Sequence, residues 1–147
     1  MKLLKLAHVP PTTVGMNATV MEAVEAMARD RVGAAAIIEI PGSGALKGIF
    51  SERDLMLRVV QKGLDPRATN VRDVMTADVK TASENTAAAE AMSLMLSLHL
   101  RHLPIVGGDR QVLGIVSIRN LLHNKVDDLS RSLDSMEQYI TNDSMGG

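Results

Sequence analysis

The chain has 147 residues, which is enough for one ordinary domain or for two small units that share a core. It is 46% hydrophobic and 22% charged but only 1% aromatic, so we expect a folded protein with an aliphatic core. The formal net charge of -1 argues against a dedicated nucleic-acid binder, and the absence of cysteine excludes disulfides and thiolate metal sites.

The N-terminal stretch MKLLKLAHVPP contains an apolar run that is too short for a signal peptide. No segment of the sequence approaches the ~20 apolar residues that a membrane-spanning helix needs. The sequence therefore predicts a cytoplasmic protein whose partners include neither membranes nor nucleic acid.

An internal duplication is the strongest pattern in the chain. The stretch GIFSERDLM at 48–56 returns as GIVSIRNLL at 114–122, with five identities in nine positions. Farther upstream, an offset of 68 residues aligns further identical residues, such as Asn17 with Asn85. The offset falls to 66 across the loop at 39–46, and loops are where variation in length is expected.

Each repeat predicts the same elements in the same order: a short extended segment, a helix, two strands joined by a turn, and a second helix. Asn17 and Asn85 lie where the N-cap of the first helix is expected, and Ser51 and Ser117 begin the second helix. Gly63 would end the second helix of repeat one. The predicted extended segments and strands are 11–14, 35–40 and 46–50 in repeat one, and 79–82, 103–106 and 111–116 in repeat two.

The C-terminal segment has a different pattern. Its apolar residues are spaced by alternating steps of four and three, which is the seam of a helix that packs against one partner helix. The seam comprises Leu122, Val126, Leu129, Leu133, Met136 and Ile140. The spacing leaves open whether this helix packs on its own domain or mediates self-association.

These elements predict an α/β fold of the α+β type, in which two tandem β-α-β-β-α repeats pack as one pseudo-twofold body with an additional C-terminal helix. We assign residues 8–64 to repeat one, 65–76 to a linker, 77–124 to repeat two, and 125–147 to the C-terminal helix and a frayed tail. The linker ends in a predicted helical turn at 71–75.

The repeated Ser-x-x-Asp motif has two interpretations. Ser51 followed by Asp54 after a strand is a capping-box pattern, in which both side chains satisfy backbone groups at the start of a helix. The duplication also favours a ligand site, because the start of a helix attracts anions and a carboxylate can accept hydrogen bonds from a vicinal diol such as ribose. Neighbouring arginines suit phosphate, so the combination suits nucleotide binding without catalysis.

The repeated unit ends in Gly-h-h-[Ser/Thr]-x-x-[Asp/Asn], where h is apolar, and it resembles the cystathionine-β-synthase (CBS) domain. The two tandem copies resemble a CBS pair, or Bateman module. The stretches GIFSERDL and RHLPIV carry the resemblance, which covers about residues 8–125. It implies an α/β sandwich with two clefts that bind adenosine derivatives such as AMP, ADP, ATP, NAD or S-adenosylmethionine.

The resemblance also implies which residues bind the nucleotide. Asp54 is expected to hold the ribose hydroxyls, and Ser51, Arg53, Ser117 and Arg119 are expected near phosphate. The other expected residues are Arg101, His102 and Pro104 around the start of the h-P-h-h strand, Thr13, Val14, Thr81 and Ala82 beside the adenine, and Asn120 at the position equivalent to Asp54.

The two clefts are not expected to be equal. Asn120 is a neutral acceptor, so it should hold a diol more weakly than Asp54 does. Repeat one also has Gly-Ala-Ala-Ala at 33–36 where repeat two has Arg-His-Leu-Pro at 101–104. We expect one good nucleotide site that contains Asp54 and a second site that is weaker or empty, and the sequence leaves open which residues share a cleft.

The predicted function is regulatory. The chain would bind an adenine nucleotide, require no cofactor, form a homodimer, and transmit a change of shape to its own dimer or to an unknown regulated protein. The alternative is a nucleotide-free scaffold that acts through dimerisation and the C-terminal helix. An enzyme is least favoured because no nucleophile has a recognisable base, and no metal site is predicted because His99 and His102 lack a suitably spaced third ligand.

Overall fold

The structure, a computed structural model, describes the backbone of residues 2–146 and the side chains of residues 2–140. The described chain contains two three-stranded sheets, one in each repeat. Repeat one consists of β1 (Thr13–Gly15), α1 (Val20–Asp30), β2 (Ala34–Ile38), β3 (Leu46–Ser51) and α2 (Glu52–Asp54). Repeat two consists of β4 (Ala82–Ser83), α3 (Ala88–Ser97), β5 (His102–Val106), β6 (Val112–Ser117) and α4 (Ile118–Gly146).

Both sheets have the same topology, as the duplication predicts. The first strand of each repeat pairs in parallel with the second, and the second pairs antiparallel with the third. Short 3-10 turns lie outside the sheets, including one at Val71–Asp73 where the linker was expected to be helical. The predicted α+β fold with two β-α-β-β-α repeats is therefore confirmed.

The first helix of each repeat begins two residues later than predicted. Thr19 is the N-cap of α1, and its Oγ1 accepts a hydrogen bond from the N–H of Glu22 at 3.2 Å. In repeat two the N-cap position is held by Ala87, which makes no side-chain capping bond. The prediction of Asn17 and Asn85 as N-caps was wrong, because both lie in a turn that precedes the helix.

The second helix of repeat one ends at Gly63, as predicted. After α2 the chain continues as a π-helical segment, Leu55–Val60, which the sequence did not indicate. Gly63 has a φ of +70°, and its N–H donates to the carbonyl of Val60 at 3.0 Å. The N–H of Leu64 donates to the carbonyl of Val59 at 2.9 Å, and these two bonds form a Schellman motif.

Each repeat has its own aliphatic core, and a third cluster joins them. Phe50 is fully buried in the core of repeat one, and Leu103 is fully buried in the core of repeat two. The joining cluster is formed by Ala36, Leu46 and Ile115. Full burial of one such aliphatic side chain is worth about 1.5–3 kcal/mol, so the two repeats stabilise each other through this cluster.

The segment that precedes each repeat pairs with the sheet of the other repeat. Before repeat one, His8 forms an antiparallel bridge with Ile115, and before repeat two, Thr76 forms one with Ile49. Leu3 is fully buried in the core of repeat two. Residues 2–8 thus pack spatially with repeat two, which no local pattern in the sequence indicated.

Gly48 and Gly114 lie where these crossing segments approach the sheets. A Cβ atom on Gly48 would lie 2.5 Å from Sδ of Met75 and 2.8 Å from the carbonyl oxygen of Thr76. A Cβ atom on Gly114 would lie 3.0 Å from Cγ2 of Val9. The crossing segment therefore excludes a side chain at Gly48 and leaves little room for one at Gly114.

Helix α4 continues without a break from the second helix of repeat two into the C-terminal segment, so the boundary predicted at 124 and 125 falls inside one helix. Leu121 is only 1% exposed, whereas every side chain from 125 to 140 is exposed. Within the described residues the seam therefore does not pack on its own domain. The frayed tail was predicted at the end of the chain, and the side chains of 141–147 lie outside the described residues.

We expect Gly48→Ala to destabilise the protein by about 1–3 kcal/mol, because the new methyl group would overlap backbone that cannot move aside cheaply. Gly108→Ala is the matched control, since a Cβ atom there would have no neighbour within 4 Å, and it should change stability by less than about 0.5 kcal/mol. Urea denaturation of the two variants measures the difference. Equal midpoints would show that the crossing segment is not held against β3.

Candidate functional site

Two clefts lie between the repeats. The Asp54 cleft has a volume of about 370 Å³ and is lined mainly by residues 51–54, Thr76 and residues 99–102. The Asn120 cleft has a volume of about 680 Å³ and is lined mainly by residues 117–120, Ala7, His8 and residues 30–34. Both volumes lie in the range of roughly 300–1,000 Å³ that is usual for small-molecule sites.

Equivalent hydrogen bonds hold the turn that forms one wall of each cleft. The N–H of Glu52 donates to the carbonyl of Gly33 at 3.0 Å, and the N–H of Ile118 donates to the carbonyl of Arg101 at 2.8 Å. Each bond ties the start of a second helix to the residue that directly precedes the neighbouring strand. Side chains from the two segments therefore project into the clefts from fixed backbone.

Asp54 and Ser51 form a complete capping box. The N–H of Asp54 donates to Oγ of Ser51 at 3.2 Å, and the N–H of Ser51 donates to Oδ2 of Asp54 at 3.0 Å. The hydroxyl of Ser51 also donates to Oδ2 at 3.2 Å. The structure thus confirms the capping interpretation of the motif. The capping box fixes one oxygen, Oδ2, of the Asp54 carboxylate.

The other carboxylate oxygen of Asp54 has longer contacts. Its Oδ1 accepts a hydrogen bond from Oγ1 of Thr76 at 3.3 Å, and Nε of Arg58 lies 3.5 Å away. Asp54 is only 8% exposed and yet lines the cleft. Oδ1 of Asp54 is therefore fixed in position, but its contacts with Thr76 and Arg58 are long and weak.

Asn120 is the counterpart of Asp54, but its environment differs. Its N–H donates to Oγ of Ser117 at 3.1 Å, so the capping hydrogen bond to the backbone is retained. Its side-chain amide donates to the carbonyl of Leu6 at 3.4 Å, and the residue is exposed. Asn120 therefore faces the crossing N-terminal segment as a neutral group rather than as a buried charge.

Three charged or ionisable residues line both clefts: Glu52, Arg101 and His102. Glu52 and His102 lie close to Gly33, where a Cβ atom would be 3.0 Å from Oε1 of Glu52 and 3.2 Å from Nε2 of His102. The absence of a side chain at Gly33 thus leaves room for both groups. The wall between the clefts is a polar cluster that an occupant of either cleft would contact.

Burial lowers the pKa of His102 below its ordinary value of 6.5, the carboxylate of Glu52 opposes that shift, and the charge of Arg101 adds to it. The imidazole is therefore neutral near pH 7. An anion brought into either cleft would favour its protonated form.

Arg31 and His99 occupy equivalent positions, one at the edge of each cleft. Neither was predicted from the sequence to bind nucleotide. Each follows the first helix of its repeat with a φ of 56°, which is uncommon for a residue with a side chain. Arg31 lines the Asn120 cleft and His99 lines the Asp54 cleft. The 68-residue offset relates the two positions, but a left-handed conformation of non-glycine residues leaves no mark in the sequence.

The structure groups the residues predicted to bind nucleotide. The Asp54 cleft brings together Ser51, Arg53, Asp54, Arg101 and His102. The Asn120 cleft brings together Ser117, Arg119 and Asn120 with the same Arg101 and His102.

Five other predicted residues lie outside the lining of both clefts described here. Val14 and Ala82 pack in the cores of repeat one and repeat two, and Pro104 is buried in β5. Thr13 lies in β1, where it pairs with Ala36, and Thr81 directly precedes β4. The assignment of Thr13, Val14, Thr81 and Ala82 to an adenine pocket, and of Pro104 to the nucleotide site, remains a prediction.

Among the described residues, no group of three or more histidine, aspartate or glutamate side chains is placed to hold a metal ion. No helix in the described part of the chain is both long enough and apolar enough to cross a membrane.

Comparison with known proteins connects this geometry to a family. The model of the CBS domain matches the chain twice, at residues 5–61 and 71–127. The CBS domain-containing protein YhcV of Bacillus subtilis is 35% identical over 118 residues, which cover 80% of this chain and 81% of that protein. The mitochondrial CBS domain-containing protein CBSX3 of Arabidopsis thaliana is 32% identical over 124 residues, and the match covers 83% of this chain but only 60% of that relative.

Solved structures show the same architecture. A protein with CBS domains from Burkholderia ambifaria superposes with a TM-score of 0.75 at 28% identity, covering 87% of this chain and 96% of the other. A CBS domain protein from Pyrobaculum aerophilum, complexed with AMP, superposes with a TM-score of 0.74 at 25% identity, covering 82% and 89% of the two chains. With two tandem copies of the domain packed as one body, this chain belongs to the CBS domain family.

Proposed function

We propose that the chain is a regulatory module that binds an adenosine-containing nucleotide in the Asp54 cleft. CBS pairs are regulatory, and the similar protein from Pyrobaculum aerophilum has a solved structure in complex with AMP. The observation that carries the proposal is the buried Asp54 carboxylate, which lies in a cleft that also contains Arg53 and Arg101. A positioned carboxylate beside cations suits a ribose diol linked to a phosphate.

Asp54 would hold the ribose through its Oδ1 atom. Oδ2 is engaged in the capping box, whereas the contacts of Oδ1 with Thr76 and Arg58 are long. Two ribose hydroxyls could replace these contacts with shorter, charge-assisted hydrogen bonds while the capping box remains intact. Ligand binding would therefore leave the fold of α2 unchanged.

The phosphate would lie toward Arg101 and His102. Arg53 and Arg101 are exposed, so their guanidinium groups can turn to meet a phosphate without breaking the core. The hydroxyl of Ser51 already donates to Asp54, so its role is to hold the carboxylate in place rather than to bind phosphate. This division of roles differs from the phosphate contact expected for Ser51 from the sequence.

Sharing of the polar wall would couple the two clefts. A phosphate in the Asp54 cleft would bind to Arg101 and His102, which also line the Asn120 cleft. Because their positive charge would then be partly neutralised, a second anion would bind more weakly in the Asn120 cleft. Occupancy of one cleft would therefore change the affinity of the other cleft for its ligand. That coupling is how a nucleotide signal would reach the rest of the molecule.

The preferred nucleotide is decided by calorimetry of nucleotide-free protein with AMP, ADP, ATP, NAD, NADH and S-adenosylmethionine. A ligand at 100 times its dissociation constant adds about 2.7 kcal/mol of stability, which a thermal shift also detects. Absence of binding for every compound would overturn the proposal. It would favour the alternative of a nucleotide-free scaffold, for which the exposed seam of α4 is the supporting observation.

We expect Asp54→Asn to weaken binding of the preferred nucleotide roughly 10-fold or more, because a neutral amide replaces a charged acceptor. An amide oxygen can still accept the capping hydrogen bond from Ser51, so the thermal midpoint should change little. Asn120→Ala is the matched control in the other cleft and should leave this affinity unchanged. Unaltered affinity in Asp54→Asn would mean that Asp54 acts only as a helix cap.

We expect Arg101→Ala to reduce nucleotide affinity at both clefts, by about 10–100-fold for any phosphate that the guanidinium contacts. Arg119→Ala should affect only the Asn120 cleft, and the exposed linker residue Arg67 provides a neutral control as Arg67→Ala. Titration calorimetry of the three variants separates these effects. If Arg101→Ala binds as Arg67→Ala does, the shared-wall coupling is wrong.

The lowered pKa of His102 predicts a pH dependence of stability. Well above pH 6.5 the imidazole is neutral in both the folded and unfolded chains, so its ionisation does not change the free energy of unfolding there. As the pH falls below 6.5 the unfolded chain takes up a proton before the folded chain does, and the free energy of unfolding decreases. Urea titrations between pH 5 and 8 should show a flatter profile for His102→Gln, and identical profiles would contradict the prediction.

A further inference from the structure

The C-terminal part of α4 projects from the body with an uncovered apolar stripe. The six seam residues, Leu122 to Ile140, are between 43% and 62% exposed. The seam extends over about 27 Å of helix, at 1.5 Å per residue. Beyond Asn124, every described side chain is exposed on all faces of the helix.

A helix of this composition gains little stability by itself. Residues 125–140 include three serines and three aspartates, which are weaker helix formers than alanine or leucine. Isolated helices of about 12–15 residues are marginal in water, and helical stability in proteins comes mostly from packing of an apolar face. Packing of the seam against a partner helix would therefore supply most of the stability of this helix.

The seam is complementary to itself in the antiparallel direction. With the two-fold axis at Arg131, Leu122 meets Ile140 of a second copy, Val126 meets Met136, and Leu129 meets Leu133. All six apolar residues are then paired, and each contact occurs twice. No apolar residue of the stripe is left facing water.

The charges that flank the seam also favour the antiparallel orientation. It places His123 near Glu137 of the second copy, and it brings Ser130 and Ser132 together with their own counterparts at the centre, where small side chains allow close approach. In a parallel pair, His123 of one copy and Glu137 of the other would lie about 21 Å apart along the helix axis and could not meet.

We propose that residues 122–140 form an antiparallel coiled coil with a second copy of this chain. The first turn of α4, residues 118–120, lines the Asn120 cleft. One continuous helix therefore joins this interface to that cleft. The interface does not depend on nucleotide binding, so it is tested on nucleotide-free protein.

Sedimentation velocity of the full chain should show a dimer. Leu129→Gln with Leu133→Gln should raise the dissociation constant at least about 100-fold, since four buried leucines are lost per dimer. The matched control, Asp128→Gln with Ser135→Gln, changes two exposed positions of the same helix away from the seam and should remain dimeric. A monomeric unmodified chain, or a dimer that survives the leucine substitutions, would overturn the proposal.

Cysteine pairing tests the orientation independently, because the chain contains no cysteine of its own. Val126→Cys mixed with Met136→Cys should form a disulfide-linked heterodimer under mild oxidation, while Val126→Cys alone should not cross-link. Cross-linking of Val126→Cys alone would indicate a parallel pair, and no cross-linking in either sample would indicate that the seam does not face a second copy. Either of these results contradicts the proposal.

Discussion

The structure depends on an exchange of backbone pairing between the two repeats. The segment around His8 bridges to repeat two at Ile115, and the segment around Thr76 bridges to repeat one at Ile49. These bridges cover an edge of each sheet that would otherwise expose unpaired backbone groups. They also bring the residue that precedes one repeat to the cleft of the other, so neither cleft can form from a single repeat.

The Ser51 and Asp54 pair caps a helix and still leaves one carboxylate oxygen toward the cleft. The capping box uses Oδ2 of Asp54, which fixes the carboxylate at the start of α2, and the crossing residue Thr76 supplies a donor to Oδ1. A carboxylate that is held in this way needs little reorganisation to accept a ligand hydroxyl. The capping interpretation and the ligand interpretation are thus compatible, because they concern different oxygen atoms of one side chain.

Much of the fold was predictable because the duplication repeats each local signal. Short apolar runs joined by turn residues predicted the strands to within a few residues, and Gly63 marked the end of the second helix. The crossing of residues 2–8 to repeat two was not predictable, since it is a long-range contact that leaves no periodic pattern. The asparagine N-caps were wrong because the side-chain type fitted a cap while the turn placed the helix two residues later.

The residues that line the clefts were predictable where they belong to the repeated motif and less so elsewhere. Asp54 and Asn120 were identified as counterparts, but the grouping of Arg101 and His102 with both clefts required the packing of the two repeats. The substitution of Asp by Asn accompanies a wider divergence: repeat one ends its second helix at Gly63, whereas repeat two extends the same helix through α4. Repeat one thus keeps a buried carboxylate in its cleft, and repeat two carries the long exposed helix instead. The two copies of the unit therefore keep one fold and one topology while they differ in the charge of their cleft and in the length of their last helix.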